Sequence, residues 1–311
     1  MTDLAISRAA PAYPTPGLAL EPEVTSPAPA SSSAAAPVAK PRRRLPNIGL
    51  ILSGLFVLVL VIAALVPGLI APGDPYEASA RDAFLAPSAS HWLGTDENGR
   101  DVLVRLVHGA RASILMGLAA SVIGLGGGVA LGLAAGLGRR FLDGLLMRFV
   151  DVLLAFPDLL LALVIITFWG QGLINAIVAV GVASIPRYAR LVRAQTAKVK
   201  SAPYVEAAIT LGIRRSTIVW RHVLPNAIKP VLLLAAIGVG GKIAAGASLS
   251  FLGFGAPPPA PEWGASLAVG RNFLSNAPWL VAAPALAITL TVVSITSLGR
   301  ALMRLSEGRR P

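Results

Sequence analysis

The sequence predicts an all-α, polytopic membrane protein with six transmembrane helices. Of its 311 residues 55% are hydrophobic and the mean hydropathy is +0.70, too apolar for an ordinary soluble domain. Apolar runs of about 20 residues, the length that crosses a bilayer, recur along most of the chain. The basic residues gather in the loops on one side of those runs, as lysine and arginine do in loops retained inside a cell. The net charge of +12 therefore belongs to membrane topology. No basic helix face with interleaved aromatics points to nucleic acid. Cysteine is absent, which excludes a disulfide frame, a thiolate zinc cluster and a thiol nucleophile.

Residues 1–46 hold nine of the 25 prolines and eleven alanines. Such a segment buries too little apolar surface to offset chain entropy, so it is predicted to be a disordered cytoplasmic tail. Lys40, Arg42, Arg43 and Arg44 directly precede the first apolar run, which makes 47–71 an uncleaved signal anchor rather than a signal peptide. The spans are expected at 48–70, 112–137, 145–169, 173–192, 230–251 and 279–298. An even number returns both termini to one side, the cytoplasm. Inner loops then carry Arg139, Arg140, Lys198, Lys200, Arg214, Arg215, Arg221 and Lys229. The outer segment 71–108 has three arginines against six acids, and the second outer loop, 253–278, has Arg271 as its one basic residue. The resulting order is an extracytoplasmic loop at 72–108, a five-helix core at 109–305 with a cytoplasmic loop at 198–228, and a short tail at 306–311.

The second span is crowded with Gly124, Gly126, Gly127, Gly128, Gly132 and Gly136, and small residues in lipid mark close helix–helix approach. Pro157 in the third removes an internal hydrogen bond and predicts a kink. The segment 198–228 is polar and basic between two apolar runs, so it sits in water beside the membrane. Within it, Ser201 is placed to cap a short helix whose first turn accepts Pro203, with Glu206 near the positive end of its dipole. Ala207 and Ala208 let another backbone approach, Gly212 permits a turn, and Pro225, after Leu224, is expected to stop a second short helix. Two short helices at a bend make a knob for a partner to grip.

The run EAAITLG at 206–212, followed by Leu224 and Pro225, resembles the EAA loop of ABC-importer permeases, the element that docks into a cleft of the ATPase subunit. The segment 91–103, HWLGTDENGRDVL, looks like the LGTDxxGRD signature of the second, C-type membrane component of dipeptide, oligopeptide and nickel importers. Further matches are DVLLAFP at 151–157, IPRYARLVR at 185–193, RHVLPNA at 221–227 and SLSFLG at 248–253. The resemblance spans about residues 48–305. It implies the type I permease fold of ABC importers, in a bacterial cytoplasmic (inner) membrane and its lipid bilayer. The implied partners are a homologous second permease, two ATPase subunits and an extracytoplasmic peptide-binding protein. It makes Glu206, Ala207, Ala208, Gly212, Leu224 and Pro225 the coupling residues. The chain has no Walker-type glycine loop, so no cofactor is expected on it, with ATP and magnesium held by the partner ATPases. Two departures stand out. His222 replaces an aliphatic residue, and Gly246 stands where the family commonly carries a glutamate.

Charges within the spans demand a reason, since each costs several kcal/mol unless paired or wetted. Lys242 lies twelve residues beyond Pro230, about 18 Å along a helix, too deep for easy snorkelling. Lys242, Gly246, Asp151 and Asp158 are the candidates for the translocation path. Lys242 either meets a substrate carboxylate or pairs with Asp151, Asp158 or a partner permease. In the outer loop Asp96, Arg100 and Asp101 are candidates for binding-protein docking, or for a charge-and-cap network that shapes the loop. His91, Asp96, Glu97 and His108 lack a metal-ligand spacing, so no metal is expected. Nor is a catalytic residue: the three histidines, at 91, 108 and 222, lie outside the spans, which argues against an intramembrane enzyme. A self-sufficient secondary transporter driven by an ion gradient through Asp151, Asp158 and Lys242 is the alternative to an ATP-driven importer of di- or oligopeptides.

Overall fold

The computed structural model describes residues 48–306. The tail expected at 1–46 and nearly all of that at 306–311 lie outside the described residues. Among the described residues the chain is helical, with a single isolated bridge between Thr95 and Asp101. In order the helices are α1 (Ile48–Leu65), α2 (Pro67–Ile70), α3 (Val102–Leu137), α4 (Arg140–Leu154), α5 (Asp158–Trp169), α6 (Leu173–Lys200), α7 (Pro203–Thr210), α8 (Arg215–Ile218), α9 (Leu224–Phe251), α10 (Trp263–Gly270) and α11 (Trp279–Ser306). Four helical stretches are long and apolar enough to cross a membrane, or five if the bent pair α4–α5 is one span.

The six expected spans correspond to α1, α3, α4–α5, α6, α9 and α11. α6 falls short on apolarity because its second half carries Arg187, Arg190 and Arg193, yet its 28 residues make it about 42 Å long. It is the inner helix of the bundle, packed along α3, so protein rather than lipid surrounds much of it. The kink expected at Pro157 is a full break: α4 and α5 meet at 95°, with Pro157 in extended backbone ahead of α5.

The glycines of α3 explain the α3–α6 seam. Gly124, Gly128, Gly132 and Gly136 recur every fourth residue, one face of a helix, and lie against Ser184, Tyr188, Ala189, Val192 and Thr196. Gly181 of α6 returns the contact against Ile123. Side chains of small volume let the backbones close up where lipid gives no hydrophobic drive. α9 packs on α3, α6 and α11, while α1 is peripheral and touches α3 and α11. Its Leu55, Leu58 and Val61 stay exposed, as a lipid-facing helix requires.

α9 is not a fresh helix begun after a proline stop. Arg215–Phe251 runs as one helical stretch, with a π turn at Val219–Val223 and Pro225 in the first turn of α9. The expected stop at Pro225 is therefore a local widening. Proline lacks an N–H for the preceding turn, and the wider turn accommodates that gap without ending the helix.

Candidate functional site

At one end of the bundle, residues 201–223 form the knob. α6 closes when Ser201 donates its hydroxyl to Ala197 O at 3.0 Å. Ser201 thus finishes α6 instead of capping α7, whose N-cap is Ala202 without a side-chain bond. Pro203 occupies the first turn of α7 as expected, and Glu206 is exposed within that turn. The helix ends in a Schellman motif. Ile213 N donates to Ala208 O at 3.1 Å and Gly212 N to Ile209 O at 3.0 Å, with Gly212 at φ +73°. That is a left-handed conformation which a Cβ resists.

Val199, Val205, Ala208, Ile218, Val223 and Ala227 make the knob's own core, with Leu137 of α3 packed against it. Ala208 therefore faces inward, whereas Glu206, Ala207, Gly212 and Pro225 are exposed and Leu224 is half-buried. Around them lie side chains that sequence reasoning passed over. Leu211 is 79% exposed and Trp220 69%, and Tyr204 and Ile209 are exposed as well, as are Arg214, Arg215 and Arg221 of the same segment. Their signal was apolar residues off the Val205–Ala208 face in an otherwise polar segment.

At the opposite end the loop before α3 is built inward. Asp96 is buried, and its Oδ1 accepts from Asn98 N and Arg100 N, both at 2.9 Å. Its Oδ2 lies 3.4 Å from Arg105 Nε. Asp101 caps α3 by accepting from Val104 N at 3.0 Å and holds His91 Nδ1 at 2.9 Å. Gly94 and Gly99 turn the chain at φ +73°, and Trp279 Nε1 of α11 donates to Thr95 O at 3.1 Å. Asp96, Arg100 and Asp101 thus shape the loop, while Trp92 and Asn98 form its exposed surface. Below it, Glu262 is 1% exposed and caps α10, accepting from Gly264 N at 2.9 Å and Ala265 N at 2.8 Å. Burial pushes its carboxyl above the ordinary range, against the pull of those two N–H groups.

Between the two ends runs a ladder that the sequence concealed. On α6, Arg187 pairs with Asp158 at 2.9 Å, Arg190 with Asp151, and Arg193 with Asp143 through two bonds of 3.0 and 2.6 Å. Arginines three apart share a helix face, so one face of α6 braces both limbs of the broken span. Asp151 and Asp158 are accordingly taken by arginines, not by Lys242. Lys242 is 8% exposed and forms no ion pair among the described residues. Its Nζ lies 5.3 Å from the Tyr188 ring centroid. It lines a cavity of about 160 Å³ with Asp158, Ser184, Arg187, Gly238 and Gly241. Gly246 faces elsewhere. It is buried against the Met116 thioether, so a glutamate there would have to displace that side chain. Among the described residues no group of three or more metal-ligating side chains forms a metal site.

These features agree with the relatives found. Residues 128–310 match the family described as binding-protein-dependent transport system inner membrane component. The dipeptide transport system permease protein DppC of Alkalihalophilus pseudofirmus is 35% identical over 261 residues, covering 84% of each chain. The glutathione transport system permease protein GsiD of Pectobacterium atrosepticum is 40% identical over 84% of this chain and 87% of its own. The di/tripeptide transport system permease protein DppC of Pseudomonas aeruginosa is 41% identical over 80% of this chain and 84% of its own. The inward-facing MetNI methionine ABC transporter has the same fold, with a TM-score of 0.55 at 20% identity over 65% of this chain and 95% of that one. The chain therefore belongs to the binding-protein-dependent transport system inner membrane component family, as a multi-pass permease subunit of an ABC importer that works in a membrane with a separate ATPase and a substrate-binding protein.

Proposed function

We propose that this permease forms half of the translocation path for di- or oligopeptides and is driven through the knob at 198–228. A homologous permease supplies the other half, two ATPase subunits grip the knobs, and an extracytoplasmic binding protein delivers the peptide to the opposite end. Both termini and the knob then lie in the cytoplasm. ATP and magnesium are handled by the ATPases, and this chain binds no cofactor. The observation that carries the reading is the knob itself: a compact pair of helices with its own core, fixed by a Schellman turn, presenting Leu211, Trp220 and three arginines to solvent. The names of the relatives support peptides as the cargo.

In this mechanism Glu206 anchors the ATPase, exposed Ala207 allows its close approach, and Ala208 keeps α7 seated on the knob core. Gly212 fixes the bend, while Leu224 and Pro225 carry the movement into the unbroken α9. Rigid-body rotation of the ATPases then rocks the bundle between outward-open and inward-open states. ATP biases that equilibrium only because the ATPases hold the knob differently in each state. The arrangement favours transmission over local yielding, since Arg215–Phe251 has no helix break between knob and membrane.

The test uses the assembled importer in proteoliposomes. Gly212→Ala puts a Cβ into a left-handed residue at a cost of about 1–2 kcal/mol, although nothing crowds it within 4 Å. The expected outcome for Gly212→Ala and Glu206→Ala is continued ATP hydrolysis with peptide uptake reduced about tenfold or more. Normal coupled uptake in both variants would overturn the assignment.

A further inference from the structure

We propose that Lys242 is a carboxylate-binding residue within the translocation path, meeting the C-terminal carboxylate of the peptide in transit. This rests on the peptide reading above and specifies how the path recognises its cargo. Three observations converge on it. Lys242 is more than nine-tenths buried, yet no acid or hydrogen-bond acceptor among the described residues holds its ammonium. Asp158, the acid that shares its cavity, is already tied to Arg187 at 2.9 Å. The cavity itself, about 160 Å³, has room for roughly five waters at about 30 Å³ each. It is therefore large enough for a hydrated carboxylate.

The charges decide the sign of the ligand. Lys242, Arg187 and Asp158 face the cavity and sum to one positive charge. Ser184, also on its lining, spends its hydroxyl proton on Val180 O at 2.7 Å, so it is not the donor an anion would meet first. The Tyr188 face 5.3 Å away offsets part of the cost of burying the ammonium. With Asp158 tied to Arg187, the ammonium has no direct ion-pair partner among the described residues, and an incoming carboxylate supplies one. The same site disfavours a cationic group. Small residues on α9 one turn or less away, Gly238, Gly241 and Ala245, leave the approach to Nζ open. The side chains of Arg187 and Asp158 are 65% and 40% exposed, so the cavity opens to the surface rather than being a sealed void.

The experiment compares dialanine with dialanine amide, which lacks the terminal carboxylate, in proteoliposomes holding the complete importer. Each cargo is referred to its own wild-type rate, so selection by the binding protein cancels. Lys242→Met is expected to lower dialanine uptake about tenfold and to leave the amide within about twofold of wild type. Lys242→Arg should return most of the dialanine rate. An equal loss for both cargoes, or no loss for either, overturns the carboxylate site while leaving the peptide importer standing. Failure of the wild-type complex to take up either compound removes the peptide reading, and this site with it.

A second measurement is independent of transport and of how well Lys242→Met assembles. The chain has no cysteine, so Ala245→Cys on the cavity wall is its sole thiol. Its labelling by sulfonatoethyl methanethiosulfonate, relative to the trimethylammonioethyl reagent, should fall about tenfold when Lys242 is replaced by Gln. An unchanged ratio overturns the proposal.

Discussion

The seam between α3 and α6 gives the sharpest stability prediction, because two neighbouring glycines on α3 differ only in what faces them. An alanine Cβ at Gly126 would meet nothing within 4 Å, whereas at Gly128 it would lie 3.0 Å from Ala189 N and 3.1 Å from Tyr188 C. Those atoms are backbone and cannot rotate aside. Both substitutions gain the same helix propensity, about 1 kcal/mol over glycine. The difference between them therefore isolates the packing. Forcing a methyl into a closed seam costs about 1–3 kcal/mol, so Gly126→Ala should be stabilised or neutral and Gly128→Ala destabilised. At about 2–4 °C per kcal/mol for a chain of this size, the melting midpoints should separate by roughly 5 °C. Tryptophan fluorescence of the two variants in one detergent reads this directly, since the chain has five tryptophans. If Gly128→Ala melts with Gly126→Ala or above it, the backbones are not in contact and the account of the glycine stripe is wrong.

Two further outcomes follow from named side chains. Glu262 has its carboxyl raised by burial, so the folded state holds the proton more tightly than the unfolded one. Its contribution is fully favourable below the ordinary value of 4.5 and is lost as pH rises through the raised value. Melting midpoints should therefore fall in that window for the wild type, and Glu262→Gln should flatten this part of the profile. An identical slope in both proteins refutes the role. For the forked Arg193–Asp143 pair, a double-mutant cycle with Arg193→Gln and Asp143→Asn should give a measurable favourable coupling of about 0.2–1 kcal/mol, as befits a partly solvated pair. A coupling of zero would mean that this rung braces nothing.

The sequence announced what is local and hid what is distant. Apolar runs located the long helices, and Gly212 and Pro203 foretold the turn and start of α7, because each acts through its own backbone torsions. The α3 glycine stripe likewise announced a close contact, though not its partner. The arginine ladder was missed although Arg187, Arg190 and Arg193 show the spacing of one helix face. Their acids lie 39 and 50 residues away for two of the rungs, across a 95° break that only tertiary structure positions. Competition also explains the other differences. Ser201 could cap α7 or close α6, and the Ala197 carbonyl one turn back won it. Pro225 could end a helix or sit in a widened one, and packing of Val223 and Ala227 into the knob core favours continuity. For Lys242 the expected acids were real but already claimed. The loop residues Asp96, Arg100 and Asp101 were correctly sensed as a network, while exposed Trp92 drew no notice because a tryptophan in an apolar-rich chain is unremarkable.

Guanidinium struts one turn apart tie the elbow of the third crossing to its neighbour at three heights. Loosening any one tie leaves the others in place, so displacement of the elbow is biased toward carrying α6 with it. Tilting within a transport cycle is thereby favoured to carry α4, α5 and α6 together as a truss, with relative sliding easier at boundaries that lack such struts.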